Sequence, residues 1–144
     1  NFMQARWPDV QNRVSLVENN FLTERLPSAD VITMTMVVLH WGIDVKRLLI
    51  RRAFDALHKG GILVVIDHFI ADDERRHDSF GLCQSILMFL IHGNHLGGKS
   101  MHEHNGGRTF TCGEYEQWCL EAGFRKVKMF ALPGQPMPAG VAYK

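Results

Sequence analysis

The chain has 144 residues, of which 46% are hydrophobic and 22% are charged, and its formal net charge at pH 7 is +1. This balance is typical of one globular domain and excludes a disordered chain, a collagen and a coiled coil. The small net charge argues against a nucleic-acid partner, since duplex binders carry surplus cations for the phosphates. No apolar run is long enough to span a membrane. Three cysteines without a C-x-x-C spacing favour a reducing, cytoplasmic location over a secreted disulfide scaffold.

Strands and helices are predicted to alternate in the first half of the chain. Unbroken runs of β-branched residues are typical of strands covered on both faces, as in a parallel sheet. Such runs predict three strands, at Val14–Glu18, Val31–Leu39 and Ile62–Ile70. Between the second and third strands, apolar residues recur on one helical face, which predicts a helix capped by Asp44 and stopped by Gly60-Gly61.

The second half continues the same alternation. Ser79–His92 is a strongly apolar predicted helix, and a second helix is predicted over Thr111–Ala122. The latter begins with a capping-box pattern, Thr111 followed three residues later by Glu114. Two last strands are predicted at Phe124–Leu132 and Gly140–Lys144. Together these elements predict an α/β layered fold.

Titratable side chains stand near the ends of two predicted strands. His40 follows the second strand, and Asp67 lies near the end of the third. Ligands of open parallel sheets bind outside the carboxyl ends of the strands, so both residues are candidates for chemistry. Near pH 7 an imidazole can accept a proton, and a carboxylate can orient it. A histidine that merely bonds a backbone carbonyl remains the alternative.

A second candidate is the loop rich in histidine that follows the apolar helix. Its imidazoles and one carboxylate fall within thirteen residues, at His92, His95, His102, Glu103 and His104. The spacing is similar to a loose zinc site, but it lacks the H-E-x-x-H pattern that places two ligands on one helix face. We therefore predict a polar loop and no metal.

Several short motifs recur in a fixed order along the chain. They are Asn19-Asn20-Phe21, Leu26-Pro27 with Ala29-Asp30, Val38-Leu39-His40-Trp41-Gly42, Ala56-Leu57-His58-Lys59-Gly60-Gly61, Gly106-Gly107-Arg108, and Glu121-Ala122-Gly123-Phe124. In this order and spacing they resemble the C-terminal half of the S-adenosylmethionine-dependent O-methyltransferases that modify phenolic or polyketide hydroxyls. The resemblance covers nearly all 144 residues.

The resemblance implies a fold and a setting. It implies a Rossmann-like methyltransferase sheet, mostly parallel with an antiparallel C-terminal strand, and incomplete at its N-terminal side. Residues 1–144 would then be the C-terminal part of a catalytic domain. The Gly-rich cofactor loop and a dimerisation domain would precede Asn1, and the complete protein would be a cytoplasmic homodimer of secondary metabolism.

The resemblance also implies a reaction and a set of site residues. The cofactor would be S-adenosyl-L-methionine and the acceptor a small molecule, with neither nucleic acid nor membrane as a partner. His40 would be the general base, Asp67 would assist it, and Met88 would line the acceptor pocket. The cofactor contacts would be Asn20, Phe21, Met36 and Trp41. Asn20 stands where the family carries Asp, which removes a charge but keeps a hydrogen-bonding carbonyl.

Two other functions remain open at this stage. One is a module with the methyltransferase fold that binds a cofactor or small molecule without transferring a methyl group. The other is a metal protein that uses the histidine loop.

Overall fold

The computed structural model describes residues 13–70, 79–92 and 107–144. In chain order its elements are β1 (Ala29–Thr35), a 3-10 turn (Val38–His40), α1 (Ile43–Ala56), β2 (Leu57–Ile66), β3 (Phe69–Ile70), α2 (Ser79–His92), β4 (Phe110–Thr111), α3 (Cys112–Ala122), β5 (Lys126–Phe130) and β6 (Ala139–Tyr143). None of the helices in these ranges is long and apolar enough to cross a membrane.

Four strands form the main sheet, in the order β1-β2-β6-β5. β1 and β2 are parallel, with Met34 opposite Val65. β6 is antiparallel to both of its neighbours, β2 and β5. Three strands therefore run in one direction and the C-terminal strand runs against them, which confirms the predicted α/β class with an antiparallel last strand. A separate two-stranded sheet pairs β3 with β4 in parallel.

The buried core joins the strands to α1, α2 and α3. Leu63 and Val65 of β2 are fully buried, and Leu49 of α1 is only 1% exposed. Phe110 of β4 packs against Phe69, Tyr115 and Trp118, with ring centroids 4.9 to 6.3 Å apart. This aromatic cluster anchors the small sheet to α3, beside the carboxyl ends of β1 and β2.

The strand predictions needed three corrections. Val14–Glu18 is not a strand: it pairs with no described strand, and Leu16 is 85% exposed. β1 ends at Thr35 because the next residue, Met36, turns into the left-handed region with φ +54°. The third predicted strand breaks at Asp67, whose carboxylate accepts a hydrogen bond from the next amide, that of His68. A side chain that bonds its own neighbouring backbone competes with the sheet ladder.

Predictions for the first helix were wrong at both ends. Gly42, not Asp44, is the N-cap, and the helix ends at Ala56 before β2 begins at Leu57. Gly60-Gly61 therefore lies inside β2, where the register with β1 shifts. Gly60 adopts φ +82°, which glycine tolerates without steric cost.

The later elements agree with the predictions. The helix Ser79–His92 is confirmed with its predicted bounds. The capping box is also confirmed, because Glu114 donates its amide to the Thr111 hydroxyl and accepts the Thr111 amide. Gly123 ends this helix in the left-handed conformation, β5 lies within its predicted strand, and β6 begins and ends one residue earlier than predicted.

Candidate active site

The carboxyl ends of β1 and β2 meet at one edge of the sheet. The amide of Met36, just after β1, donates to the Ile66 carbonyl at the end of β2 over 2.9 Å. From that edge the chain enters the 3-10 turn, and His40 is its last residue and is half-buried. His40 therefore lies on a short turn beyond the strand and not on the strand itself. Its position at the carboxyl edge is where ligands of such sheets bind.

Asp67 links the end of β2 to the turn that carries His40 through a hydrogen bond. The carboxylate is fully buried, and its Oδ2 accepts the Leu39 amide over 3.1 Å. Its Oδ1 accepts the His68 amide over 2.8 Å. Burial raises the pKa of Asp67 above its usual value, while these two amides and the Lys46 ammonium oppose the rise. The structure thus brings Asp67 to the residue that precedes His40.

Lys46 is a residue of this edge that the sequence analysis missed. It lies in the first turn of α1, is fully buried, and donates from Nζ to three backbone carbonyls. The acceptors are the oxygens of Val38 at 2.8 Å, Trp41 at 2.5 Å and Arg108 at 2.8 Å. A signal was present, because Lys46 precedes the buried Leu49, Ile50 and Ala53 by three, four and seven positions. Leu48, an apolar residue of the same helix, is instead 37% exposed.

Gly107 is the second missed residue. It lies against the backbone of the 3-10 turn, where a β-carbon would approach the Leu39 carbonyl oxygen to 2.7 Å. Two residues later, the buried Thr109 donates its hydroxyl to the Gly81 carbonyl of α2 over 3.3 Å. The segment before β4 is therefore held between the turn and α2.

Two of the predicted cofactor residues, Phe21 and Trp41, are in contact with each other. The rings of Phe21 and Trp41 meet edge to face, with centroids 5.8 Å apart. Asn20 accepts the Leu22 amide at its side-chain oxygen, and this tight turn presents Phe21. Trp41 and Met36 are half-buried against the core. Two partly exposed rings in contact form an apolar wall suited to an aromatic base, so Phe21 and Trp41 fit the adenine side of the predicted cofactor.

Met88 lies on α2, the helix that contacts the 3-10 turn and β3. Its side chain is only 6% exposed and belongs to the core cluster that includes Leu39. The exposed face of the same helix carries other apolar residues, including Ile86 and Leu90. The structure therefore places Met88 in the core, on a helix that contacts the turn carrying His40.

Other features lie apart from this edge. A groove of about 610 Å³ runs between the segment before β1 and α1, and its lining contains none of the predicted site residues. Within residues 13–70, 79–92 and 107–144, no group of three or more His, Cys, Asp or Glu is placed to hold a metal ion. The loop with His95, His102 and His104 lies outside the described residues.

Comparison with known proteins gives consistent matches. Residues 3–125 match the family model for an O-methyltransferase domain. The tetracenomycin polyketide synthesis 8-O-methyl transferase TcmO of Streptomyces glaucescens is 30% identical over 126 residues, which are 88% of this chain and 33% of that protein. The N,N-dimethyltransferase OxyT of Streptomyces rimosus is 33% identical over 118 residues, which are 81% of this chain and 30% of that protein.

A solved structure shows the same fold. Human N-acetylserotonin methyltransferase, in complex with S-adenosylmethionine, superposes with a TM-score of 0.72 and 24% identity, over 93% of this chain and 34% of that one. The chain therefore spans about a third of the length of the proteins that it matches.

Proposed function

Because the chain belongs to the O-methyltransferase domain family, we propose that it forms the C-terminal part of a catalytic domain that methylates a hydroxyl of a small aromatic or polyketide-like acceptor. The observation that carries this proposal is the placement of His40. It is half-buried at the carboxyl edge of β1 and β2, on a turn bonded to a buried carboxylate. An imidazole held at such an edge is suited to accept a proton at neutral pH.

In the proposed reaction His40 takes the proton from the acceptor hydroxyl. The oxygen becomes a stronger nucleophile as the proton leaves, and the imidazole becomes an imidazolium. Asp67 stabilises that cation through its negative charge and keeps the turn in place through the Leu39 amide. Positioning contributes most to such a transfer, since the reacting atoms must be aligned and close.

The cofactor of the proposed reaction is S-adenosyl-L-methionine, which supplies an electrophilic methyl group when it is bound. Phe21 and Trp41 would contact its adenine, and Asn20 would add a hydrogen bond from the turn that carries Phe21. Met36 would close the wall at the end of β1. The chain has no G-x-G-x-G turn, so these residues hold one side of the cofactor and other residues of the complete protein would hold the rest.

The acceptor is proposed from the relatives and from the position of α2. The identity with TcmO supports a polyketide-like hydroxyl, and α2 with Met88 would form the wall of its pocket. The identity with OxyT makes an amine acceptor the alternative. We further propose that the complete protein is a cytoplasmic homodimer of secondary metabolism, which rests on the family resemblance.

Activity of the complete protein tests the proposal. With S-adenosylmethionine and a panel of phenolic and amine acceptors, mass spectrometry should detect a product heavier by one methylene unit. His40→Ala should lower turnover by roughly 10² to 10⁴-fold. Affinity for S-adenosylhomocysteine, measured by calorimetry, should be nearly unchanged.

The control is His58→Ala, which removes an exposed histidine that pairs with Asp30 at 3.0 Å, far along β2 from the site. Normal turnover of His40→Ala would contradict the role of His40. Tight cofactor binding without any methylated product would favour the module that binds but does not transfer.

A further inference from the structure

The ammonium of Lys46 is the centre of a hydrogen-bonded cluster beneath His40. Its three acceptors belong to two separate segments, the turn at Val38 and Trp41 and the segment before β4 at Arg108. The two turn carbonyls lie on either side of His40 in the chain. A single side chain thus fixes both flanks of the proposed base and links them to a second segment.

The geometry requires a charged lysine. Three carbonyl oxygens lie within 2.5 to 2.8 Å of Nζ, and each needs an N–H donor. An ammonium has three such hydrogens, whereas a neutral amine has two and a lone pair. The ring of Phe110 lies 5.1 Å from Nζ and adds a favourable contact with a cation. Loss of the proton would leave one carbonyl without its donor.

We infer that Lys46 is a positioning residue for His40, which holds the turn in its productive geometry by bonding the carbonyls of Val38, Trp41 and Arg108. This inference rests on the proposed function in one respect, namely that His40 is the residue to be positioned. The cluster itself is independent of any substrate. Its hydrogen bonds are also separate from that of Asp67, which bonds the turn through an amide and not a carbonyl.

The surroundings of Lys46 set the pH range in which this ammonium can lose its proton. Burial lowers the pKa of Lys46 to about 7, and the positive charge of Arg108 acts in the same direction. The negative charges of Asp67 and Glu114 oppose it. Arg108 and Glu114 form an ion pair at 3.1 Å, so their effects partly cancel. Along residues 40–47 of the chain, the titratable residues other than Lys46 are His40 on the turn, and Asp44 and Arg47 on α1.

Amide hydrogen exchange of the full chain tests the inference without any acceptor. The probes are the amides of Leu39, His40 and Trp41, which bond Asp67, Val37 and Val38 respectively. In Lys46→Met, which keeps the stem but removes the donors, their protection should fall roughly 10- to 100-fold. Protection in β2 and β6 should remain. Lys128→Met, which removes an exposed lysine of β5, is the matched control and should leave all probes unchanged.

A pH series separates positioning from mere packing and does not require the variant to fold. After correction for the intrinsic exchange rate, the wild-type turn should lose protection as the pH rises through the Lys46 pKa near 7. If Lys46→Met folds, its protection should show no step in this interval, whereas the wild-type series alone tests the role of the charge. A wild-type turn with constant protection from pH 6 to 9, or unchanged protection in a folded Lys46→Met, would overturn the inference.

Kinetics of the complete enzyme distinguish this inference from the proposed function. Lys46→Met should lower kcat roughly 10- to 100-fold, with the KM for S-adenosylmethionine nearly unchanged. If His40→Ala lowers turnover while Lys46→Met keeps full turnover, the positioning role is wrong and the function stands. If His40→Ala is fully active, the proposed base is wrong, whereas the exchange result still decides whether Lys46 holds the turn.

Discussion

Gly107 lies so close to His40 that a β-carbon at position 107 would stand 2.6 Å from the His40 carbonyl oxygen. Real β-carbons essentially never approach another heavy atom this closely. The atoms in the way belong to the backbone, which cannot move aside as a flexible side chain can. The turn that carries His40 is thus packed from one side by Gly107, while Lys46 and Asp67 bond its backbone groups. Three residues far apart in sequence constrain one turn.

Gly107→Ala should therefore displace the turn. We expect turnover of the complete enzyme to fall by roughly 10²-fold, because small misplacements of reacting groups have effects of that size. Gly134→Ala is the control: it introduces strain at φ +72°, but no atom lies within 4 Å of the added carbon. The control should lose stability and keep its turnover. Equal turnover in both variants would show that the turn tolerates displacement.

Asp67→Asn should destabilise the fold through its hydrogen bonds. The substitution replaces one of two accepting oxygens with an NH₂ group that faces a backbone N–H donor. We expect the free energy of unfolding to drop by about 1–3 kcal/mol, the usual cost of a buried group left unsatisfied. Urea unfolding measures this change. Asp55→Asn, on the exposed face of α1 beside Arg51, should change it by less than about 0.5 kcal/mol. A similar loss in both variants would contradict the structural role of Asp67.

Phe21→Leu tests the apolar wall proposed for the adenine. The variant keeps a hydrophobic side chain but loses the edge-to-face contact with Trp41. Aromatic pairs contribute about 0.5–1.5 kcal/mol beyond burial, so affinity of the complete protein for S-adenosylhomocysteine should fall roughly two- to tenfold. Phe130→Leu, an exposed phenylalanine of β5, is the matched control. If calorimetry finds the same loss of affinity for both variants, the adenine does not bind against Phe21.

Two of the three thiols, those of Cys83 and Cys119, should differ in reactivity. Cys83 is exposed, whereas Cys119 is buried, and burial raises the pKa of Cys119 to about 12. At pH 8.5 iodoacetamide should modify Cys83 in the native protein and Cys119 only after unfolding, because the thiolate is the nucleophile. Peptide mass mapping follows both sites. Modification of both at equal rates in the native state would show that Cys119 is accessible.

The Cys119 thiol also makes the stability of the protein depend on pH in the alkaline range. The unfolded chain releases the Cys119 proton near pH 9, whereas the folded chain keeps it to about pH 12. Between these values the folded state keeps a Cys119 proton that the unfolded state has lost, so this thiol lowers the free energy of unfolding as the pH rises, whereas the lowered pKa of Lys46 acts in the opposite direction. Tyr115, whose pKa burial also raises, adds to the decline. Cys119→Ala removes this negative contribution, so the slope of the free energy of unfolding between pH 9 and 10 should become more positive than in the wild type, and an unchanged slope there would contradict this assignment.

Local patterns in the chain were sufficient for some elements. The apolar helix Ser79–His92 and the capping box at Thr111 agree with the structure, because a helix and its cap depend on residues three to four positions apart. The predictions of the strands were less accurate. Val14–Glu18 has strand composition but no paired neighbour among the described strands, and a strand is completed only by hydrogen bonds to another segment.

The residues of the candidate site were likewise predictable only in part. His40 and Asp67 could be singled out from the ends of predicted strands, but their link passes through the Leu39 amide, 28 positions from Asp67. The roles of Lys46 and Gly107 depend on packing between segments distant in the chain, since Arg108 lies 62 positions from Lys46 and Gly107 lies against Leu39 and His40. Periodicity could place Lys46 on a buried face, yet it contains no information on which carbonyls a buried ammonium would meet. Those partners are fixed by how the turn, α1 and the segment before β4 pack together, because a buried cation is stable only where donors and acceptors match.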